Sequence, residues 1–528
     1  MKNIEIPTQP EKTFRYRFFE GLPAILSWSL LILPFGLSLV APTVTAFFII
    51  AFFLLWFARA VGLNVRTLQG WSNLNKQQKL NWRKMLQELS DLDPQNRSKD
   101  LPAWHYEIIE RIQAEPTPVR PNEIIHAIFI TAYNESRDII EPTIQSVLDS
   151  DYDMKNAILV LAYEGRDGAQ SEEPVLALAQ KFGDKFRECL AFKHPLTEGE
   201  VRGKGGNFTY AARGLQKYLV EHKIDPSKVL VTMLDADNRP HPKYFASVSY
   251  AFAATPDPTH ASYQPIPMFT NNIWDVPAPM RVIATGNSFW NLVLSLRPHM
   301  LRNFSSHSQP MDGLIATDFL STRTIVEDGH QFWRSYFTFE GNYQVFPIFL
   351  PIYQDAVLAD TYKKTFIVQF KQIRRWAYGA SDVAYVAEKA FFTPNKISRF
   401  DKTAKFLRLL EGHVSWATAP LILAFAASVP LLLNPDSYAA NQLPIIASRI
   451  QTVALVGILI TLFLSVKLLP PKPARYKHHR TVFMMLQWVL LPFTTIVFNA
   501  LAALNSQTRL LFGWYLDKFD VTDKSVKK

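Results

Sequence analysis

Val229-Leu230-Val231-Thr232-Met233-Leu234-Asp235-Ala236-Asp237 passes from an almost wholly apolar run into two carboxylates one residue apart. Such a run, bounded by polar residues, reads as a strand covered on both faces, the kind a parallel sheet uses. At its carboxyl end the two aspartates can share a divalent cation. Mg²⁺ or Mn²⁺ takes one or two protein carboxylates and completes its shell with substrate phosphates and water. Asp-x-Asp is a common pattern, and an acidic residue after a strand is often only a solvated turn, so the neighbouring segments must decide.

Those neighbours repeat the pattern. Ile124–Ala132, Ala157–Tyr163 and, more briefly, Cys189–Phe192 are apolar runs of strand length, and Ser136–Ser150, Glu172–Phe182 and Gly206–Glu221 are of helical length. The alternation predicts an α/β unit with a mainly parallel sheet, whose ligands bind beyond the carboxyl ends of the strands. Polar clusters stand at those ends. Thr131-Ala132-Tyr133-Asn134-Glu135-Ser136 follows the first strand and Glu164-Gly165-Arg166-Asp167-Gly168 the second. Lys204-Gly205-Gly206-Asn207 opens the helix before Val229, where amides and an ammonium can meet a phosphate.

The flanks have another character. Gly21 to Ala58 carries no charge and fits two spans, Leu22–Val40 and Val44–Leu63, joined at Ala41-Pro42-Thr43. His413–Leu433, Ile450–Val466 and Thr481–Ala503 are three more apolar segments. Lys472, Arg475, Lys477 and Arg480 crowd one loop, which places it, the N-terminus and the middle unit in the cytoplasm of an inner-membrane protein. Pro492 is read as breaking Thr481–Ala503 into a re-entrant pair, which keeps the tail cytoplasmic. The expected organisation is 1–63 with two spans, 64–122 as a connector along the membrane face, 123–400 as the α/β domain with interfacial helices, 401–503 as further spans, and 504–528 as an amphipathic segment and tail.

The chain has 528 residues, net charge +10, 20 glycines and one cysteine. Collagen-like, disordered and disulfide-framed classes are excluded. Residues 470–528 hold nine Lys/Arg against three Asp/Glu. A basic fringe beside anionic lipid accounts for that excess. No zinc spacing or nucleic-acid motif accompanies it, so nucleic acid is not an expected partner.

Two later elements complete the series: Val326-Glu327-Asp328 and Gln372-Ile373-Arg374-Arg375-Trp376. In this order the motifs resemble the membrane-integrated family-2 glycosyltransferases, which include cellulose, hyaluronan, chitin and poly-N-acetylglucosamine synthases, over about residues 124–380. The resemblance implies a GT-A-type, Rossmann-like cytoplasmic domain between transmembrane helices, a UDP-sugar donor and inversion at the anomeric carbon. It places Thr131, Tyr133, Glu135, Glu164, Lys204 and Asp235 at the nucleotide-sugar, with Glu164 near the uracil or ribose, and Asp237 on Mg²⁺ or Mn²⁺. Asp328 would be the general base with Glu327 beside it, and Gln372, Arg375 and Trp376 would border diphosphate and acceptor. Val326 stands where many members have Thr, and Glu164-Gly165 where many have an acidic pair.

The residue chemistry agrees. Attack by a sugar hydroxyl needs a carboxylate base and stabilisation of the departing diphosphate. Positions 372, 375 and 376 share one helical face, where Arg375 can fork onto phosphate and Trp376 can stack on a sugar ring. Phe519, Val521, Thr522 and Lys524 form a Phe-x-Val-Thr-x-Lys pattern similar to the gating loop of bacterial cellulose synthases. Aromatics such as Trp290, Phe304, Phe319 and Phe332 read as packing or as an acceptor wall, and Tyr353-Gln354-Asp355 is a polar break without an assigned role. The expected function is a processive β-glycan synthase that exports its product. The alternatives are a single-addition transferase acting on a membrane lipid and a non-catalytic scaffold. Expected partners are the donor, a glycan or lipid acceptor, membrane lipid, and export or regulatory subunits as separate chains.

Overall fold

Four apolar runs pair side by side to build the half of the sheet that carries the motifs. The computed structural model describes residues 4–93, 97–165, 171–195, 197–477 and 479–516. The runs become β1 (Ile125–Ala132), β2 (Ala157–Glu164), β3 (Glu188–His194) and β4 (Val229–Asp235), in the order β3-β2-β1-β4 and all parallel. Their side chains alternate between two apolar layers, as a period of two requires. Ile128, Ile130, Leu159 and Leu161 pack among residues of the helices Arg137–Leu148, Glu172–Phe182 and Tyr244–Ala254. Ala127, Phe129, Ile158, Val160, Val231 and Met233 face the helix Lys204–Glu221.

The other half is less regular. β5 (Arg239–Pro240), β6 (Ala261–Met268), β7 (His307–Pro310) and β8 (Gln344–Tyr353) extend the order to β3-β2-β1-β4-β7-β6-β8-β5. β7 runs antiparallel to both β4 and β6 and β5 antiparallel to β8, while β6 and β8 pair in parallel, so among the described residues the eight-stranded sheet is mainly parallel with short antiparallel pairings in this half. The β7 residues His307-Ser308-Gln309 are polar yet fully buried, which is why no apolar run announced this strand. Ser308 is met there by hydroxyls, its Oγ lying 2.7 Å from Thr232 Oγ1 and 2.9 Å from Tyr244 Oη.

Among the described residues five helices are long and apolar enough to cross a membrane: Phe14–Val40, Pro42–Lys79, Arg399–Leu433, Tyr438–Lys467 and His479–Phe512. The second continues through position 63 to Lys79, since nothing between Leu63 and Lys79 breaks a helix. The following helices, Trp82–Asp91 and Ala103–Ala114, each bury one face in the α/β core. Trp82, Met85, Leu89, Tyr106, Ile109 and Ile112 are buried in the same core as β1 and β2.

The re-entrant pair expected over 481–503 is also replaced. From His479 to Phe512 the backbone stays right-handed and helical, and around Pro492 it passes through a 3₁₀ turn and a π turn instead of reversing. Both ends of this run nonetheless touch the α/β unit. Arg480 donates to the Trp274 carbonyl at 2.9 Å, and Leu510 packs with Ile325, Val326 and Tyr378.

Candidate active site

β4 delivers Asp235 to the carboxyl edge of the sheet, in register with Thr131 at the end of β1. Asp235 Oδ1 accepts from Lys204 Nζ at 2.6 Å, and its Oδ2 accepts from Ser305 Oγ at 2.8 Å. Lys204 opens its helix, and Asn207 one turn on donates to the carbonyls of Ala132 and Ala162 at 3.3 and 3.2 Å, tying that helix to the ends of β1 and β2. Gly205 is required by close approach, because a Cβ there would collide with the Ser321 carbonyl oxygen and press on Glu327. Burial disfavours a charged Lys204, but Asp235, Glu327 and Asp328 outweigh it and raise its pKa.

Asp237 is nearly buried, with Oδ2 3.3 Å from the Asp355 amide, and its carbonyl accepts from Asn271 at 3.0 Å. No cluster of three or more His, Cys, Asp or Glu poised for a metal exists among the described residues. One or two hard oxygen donors fit a cation whose remaining ligands are phosphate oxygens and water.

Glu327 and Asp328 begin the helix Glu327–Thr338, where the helix dipole favours negative charge. Both oxygens of Asp328 are aimed by backbone amides, Oδ2 by Ser305 at 2.6 Å and Oδ1 by Gly329 at 2.7 Å. Glu327 is buried against it. That burial and the adjacent Asp328 raise its pKa, against the pull of Lys204 and Arg375. Gln372, Arg375 and Trp376 lie on the helix Tyr362–Ala377, with Gln372 accepting from Gln369 at 3.1 Å and the Trp376 ring 5.9 Å from Phe269.

One cavity of about 1040 Å³ joins them. Thr131, Tyr133, Glu135, Glu164, Lys204, Asp235, Asp237, Glu327, Asp328, Gln372, Arg375 and Trp376 all line it. The same space continues between the apolar helices past Trp56, Glu411, Trp416, Gln451 and Asn499. Of the aromatics singled out in the sequence, Trp290 and Phe304 are cavity wall, while Phe319 and Phe332 belong to packed cores. Arg302 also faces the cavity, with its guanidinium 4.6 Å from the centre of the Trp333 ring, and burial pushes its pKa down to about 10.

Sequence reasoning missed the residues that bind these parts together. Ser305 holds Asp328 from its amide and Asp235 from its hydroxyl, with Gln354 Nε2 donating to the same hydroxyl at 3.0 Å. Its φ of +47° lies in the left-handed region, which a non-glycine residue occupies at a cost. Gln354 and Asp355 were visible as a polar break, whereas Ser305 gave no signal, being a serine in a loop. Phe519, Val521, Thr522 and Lys524 lie outside the described residues. The chain leading to them is anchored at Tyr515, whose hydroxyl accepts from Arg17 at 2.6 Å and donates to Glu20 at 2.9 Å.

No family model and no curated protein matches the sequence. Among solved structures, the chain is similar to the mannosyltransferase PcManGT from Pyrobaculum calidifontis, in complex with GDP-Man and Mn²⁺. The two are 15% identical over 76% of this chain and 96% of that one, with a TM-score of 0.41. It is also similar to residues 1–349 of S. aureus TarS in complex with UDP-GlcNAc, at 11% identity over 74% and 92% of the chains and a TM-score of 0.36. Likeness this low carries no substrate, cofactor or activity across.

Proposed function

We propose that this chain is an inverting, metal-dependent glycosyltransferase of the GT-A type. In this reading it draws a UDP-sugar from the cytoplasm and extends a β-linked polysaccharide at the membrane face. The observation that carries the reading is one cavity: residues from six separate motifs meet in it, and it runs on between apolar helices.

The roles follow from the groups present. Asp328, aimed by two amides, takes the proton of an acceptor hydroxyl as that oxygen attacks the anomeric carbon. The bond from that carbon to the diphosphate oxygen breaks on the opposite face, and the electron pair leaves with the diphosphate. A positioned base of this kind contributes about 10²–10⁴-fold. Lys204 and Arg375 offset the growing negative charge. Asp237, with Asp235 beside it, would hold Mg²⁺ or Mn²⁺, which when bound supplies Lewis-acid stabilisation of the leaving diphosphate. Trp376 offers an apolar face to a sugar ring, and the continuation past Trp56 and Trp416 supports passage of a growing chain.

Radiolabelled UDP-sugars incubated with the purified protein in vesicles test this. A high-mass product that is released by a β-glycanase supports the polymerase. A discrete glycolipid would identify a single-addition lipid transferase instead. Donor hydrolysis and transfer that persist in both Asp237→Ala and Asp328→Asn would end the roles given to these two carboxylates, and a wild-type chain that neither hydrolyses nor transfers any nucleotide-sugar would end the enzymatic reading.

A further inference from the structure

Glu164, at the nucleotide end of the cavity, is not held by the sheet alone. Its Oε2 lies 3.2 Å from His194 Nδ1, and the other ring nitrogen, Nε2, lies 3.1 Å from Glu200 Oε2. His194 ends β3, parallel to β2 and directly opposite Glu164 in register. Glu200 belongs to the loop that leads into Lys204. Both Glu164 and His194 are buried. The packing is close enough that a Cβ on Gly206 would stand 3.0 Å from Glu200 Oε2 and 3.1 Å from His194 Cε1. The groups facing the ring are Glu164 from β2, Glu200 from the loop, and the Tyr210 ring at 5.5 Å from the following helix. Lys193, next in the chain, turns away to pair with Glu172 at 2.5 Å.

We propose that His194 is a positioning residue for the donor: its doubly hydrogen-bonded ring clamps Glu164 and the 197–203 loop into the geometry that receives the nucleoside. This deepens the glycosyltransferase reading and rests on it. A ring with a carboxylate on each nitrogen must donate from both, and only the imidazolium has two N–H groups. Burial opposes that charge, but the two glutamates overcome it and lift His194 to about 9. The clamp is therefore complete at neutral pH and lost as pH rises through about 9. Glu164, fixed by the ring, presents an acceptor to ribose hydroxyls or a base N–H, and the tethered loop carries Lys204 toward the phosphates.

The test compares wild type, His194→Gln and Glu200→Gln in donor kinetics from pH 7 to 10, together with calorimetric titration of UDP. Loss of one charge-assisted hydrogen-bond set corresponds to about a tenfold weaker donor. His194→Gln is expected to raise donor KM by about tenfold with kcat within about twofold. It should also erase the alkaline fall in kcat/KM that wild type shows near pH 9. Glu200→Gln removes one of the two charges lifting the imidazole, so its alkaline fall moves to lower pH, and it decides the matter even if the histidine variant cannot be purified. Wild-type KM and an unmoved alkaline limb in the variants would overturn the clamp while leaving the transferase reading intact. A wild-type chain that binds no nucleotide would remove the parent reading and this one together.

Discussion

The Ser305 amide donates to Asp328 Oδ2 at 2.6 Å. Because the Ser305 hydroxyl also donates to Asp235, one residue in a strained loop sets the separation between the proposed base and the proposed phosphate end of the site. Ser305→Gly keeps the amide and relaxes the left-handed backbone but loses the hydroxyl. Ser305→Ala loses the hydroxyl and keeps the strain. The expected outcome is a kcat loss of about tenfold in both, with Ser305→Ala the less stable by about 1 kcal/mol. Steady-state nucleotide release and thermal unfolding read the two effects separately.

Asp328→Asn removes the proton acceptor and leaves one side-chain oxygen for the two amides of Ser305 and Gly329, the other amide then facing an NH2 group. Transfer to acceptor should fall by about 10²–10⁴-fold with UDP affinity within about twofold, measured by product formation alongside calorimetry. Equal loss of binding and turnover would move Asp328 from catalysis to donor binding.

Chelation by EDTA should abolish transfer, and Mn²⁺ or Mg²⁺ should restore it, in wild type but not in Asp237→Ala. The cation supplies several kcal/mol of charge stabilisation at the leaving diphosphate, so residual activity without it should be below about one per cent. Full activity after chelation would remove the metal from the proposal.

Glu327 yields a pH prediction. Burial and the nearby Asp328 raise its pKa, so the folded state holds its proton more tightly than the unfolded chain. Ionising it therefore costs stability as pH rises above the ordinary carboxylate range, and below that range the cost vanishes. Glu327→Gln should unfold a few degrees higher than wild type at pH 8 and at the same temperature at pH 4, by thermal scans in detergent.

Gly205→Ala drives a methyl into the Ser321 carbonyl oxygen at the opening of the Lys204 helix. A clash against backbone cannot be relieved by a rotamer change, so a loss of about 1–3 kcal/mol is expected, with impaired UDP binding. Gly329→Ala is the control, since a Cβ there meets nothing within 4 Å.

What could be seen in the sequence was whatever burial or chemistry had written into contiguous residues. β1, β2 and β4 are apolar because both of their faces are covered, and Asp235, Asp237 and Asp328 stand out as acids at the ends of elements. What stayed hidden depends on partners distant in the chain. Ser308 of β7 is buried through hydroxyl pairing, and Ser305 matters through the two acids that it holds. The helices after Lys79 look like a polar connector because only one face of each is apolar, and that face is spent on the α/β core. Pro492 suggested a reversal, yet a π turn absorbs it at the cost of one irregular stretch.

The helix bearing Glu327 and Asp328 is gripped from two remote parts of the polypeptide. Glu5 pairs with the buried Arg334 at 2.8 Å, and Leu510 packs against Val326 at its start. During translation the first of these clasps can close once Arg334 has been made, and the second only after the segment through residue 510 has cleared the ribosome. A nascent chain that stops short of it would carry every acid of the site without the brace beneath them. The bracing of these acids is thereby made to wait for the helix His479–Phe512, the last that the chain supplies among the described residues.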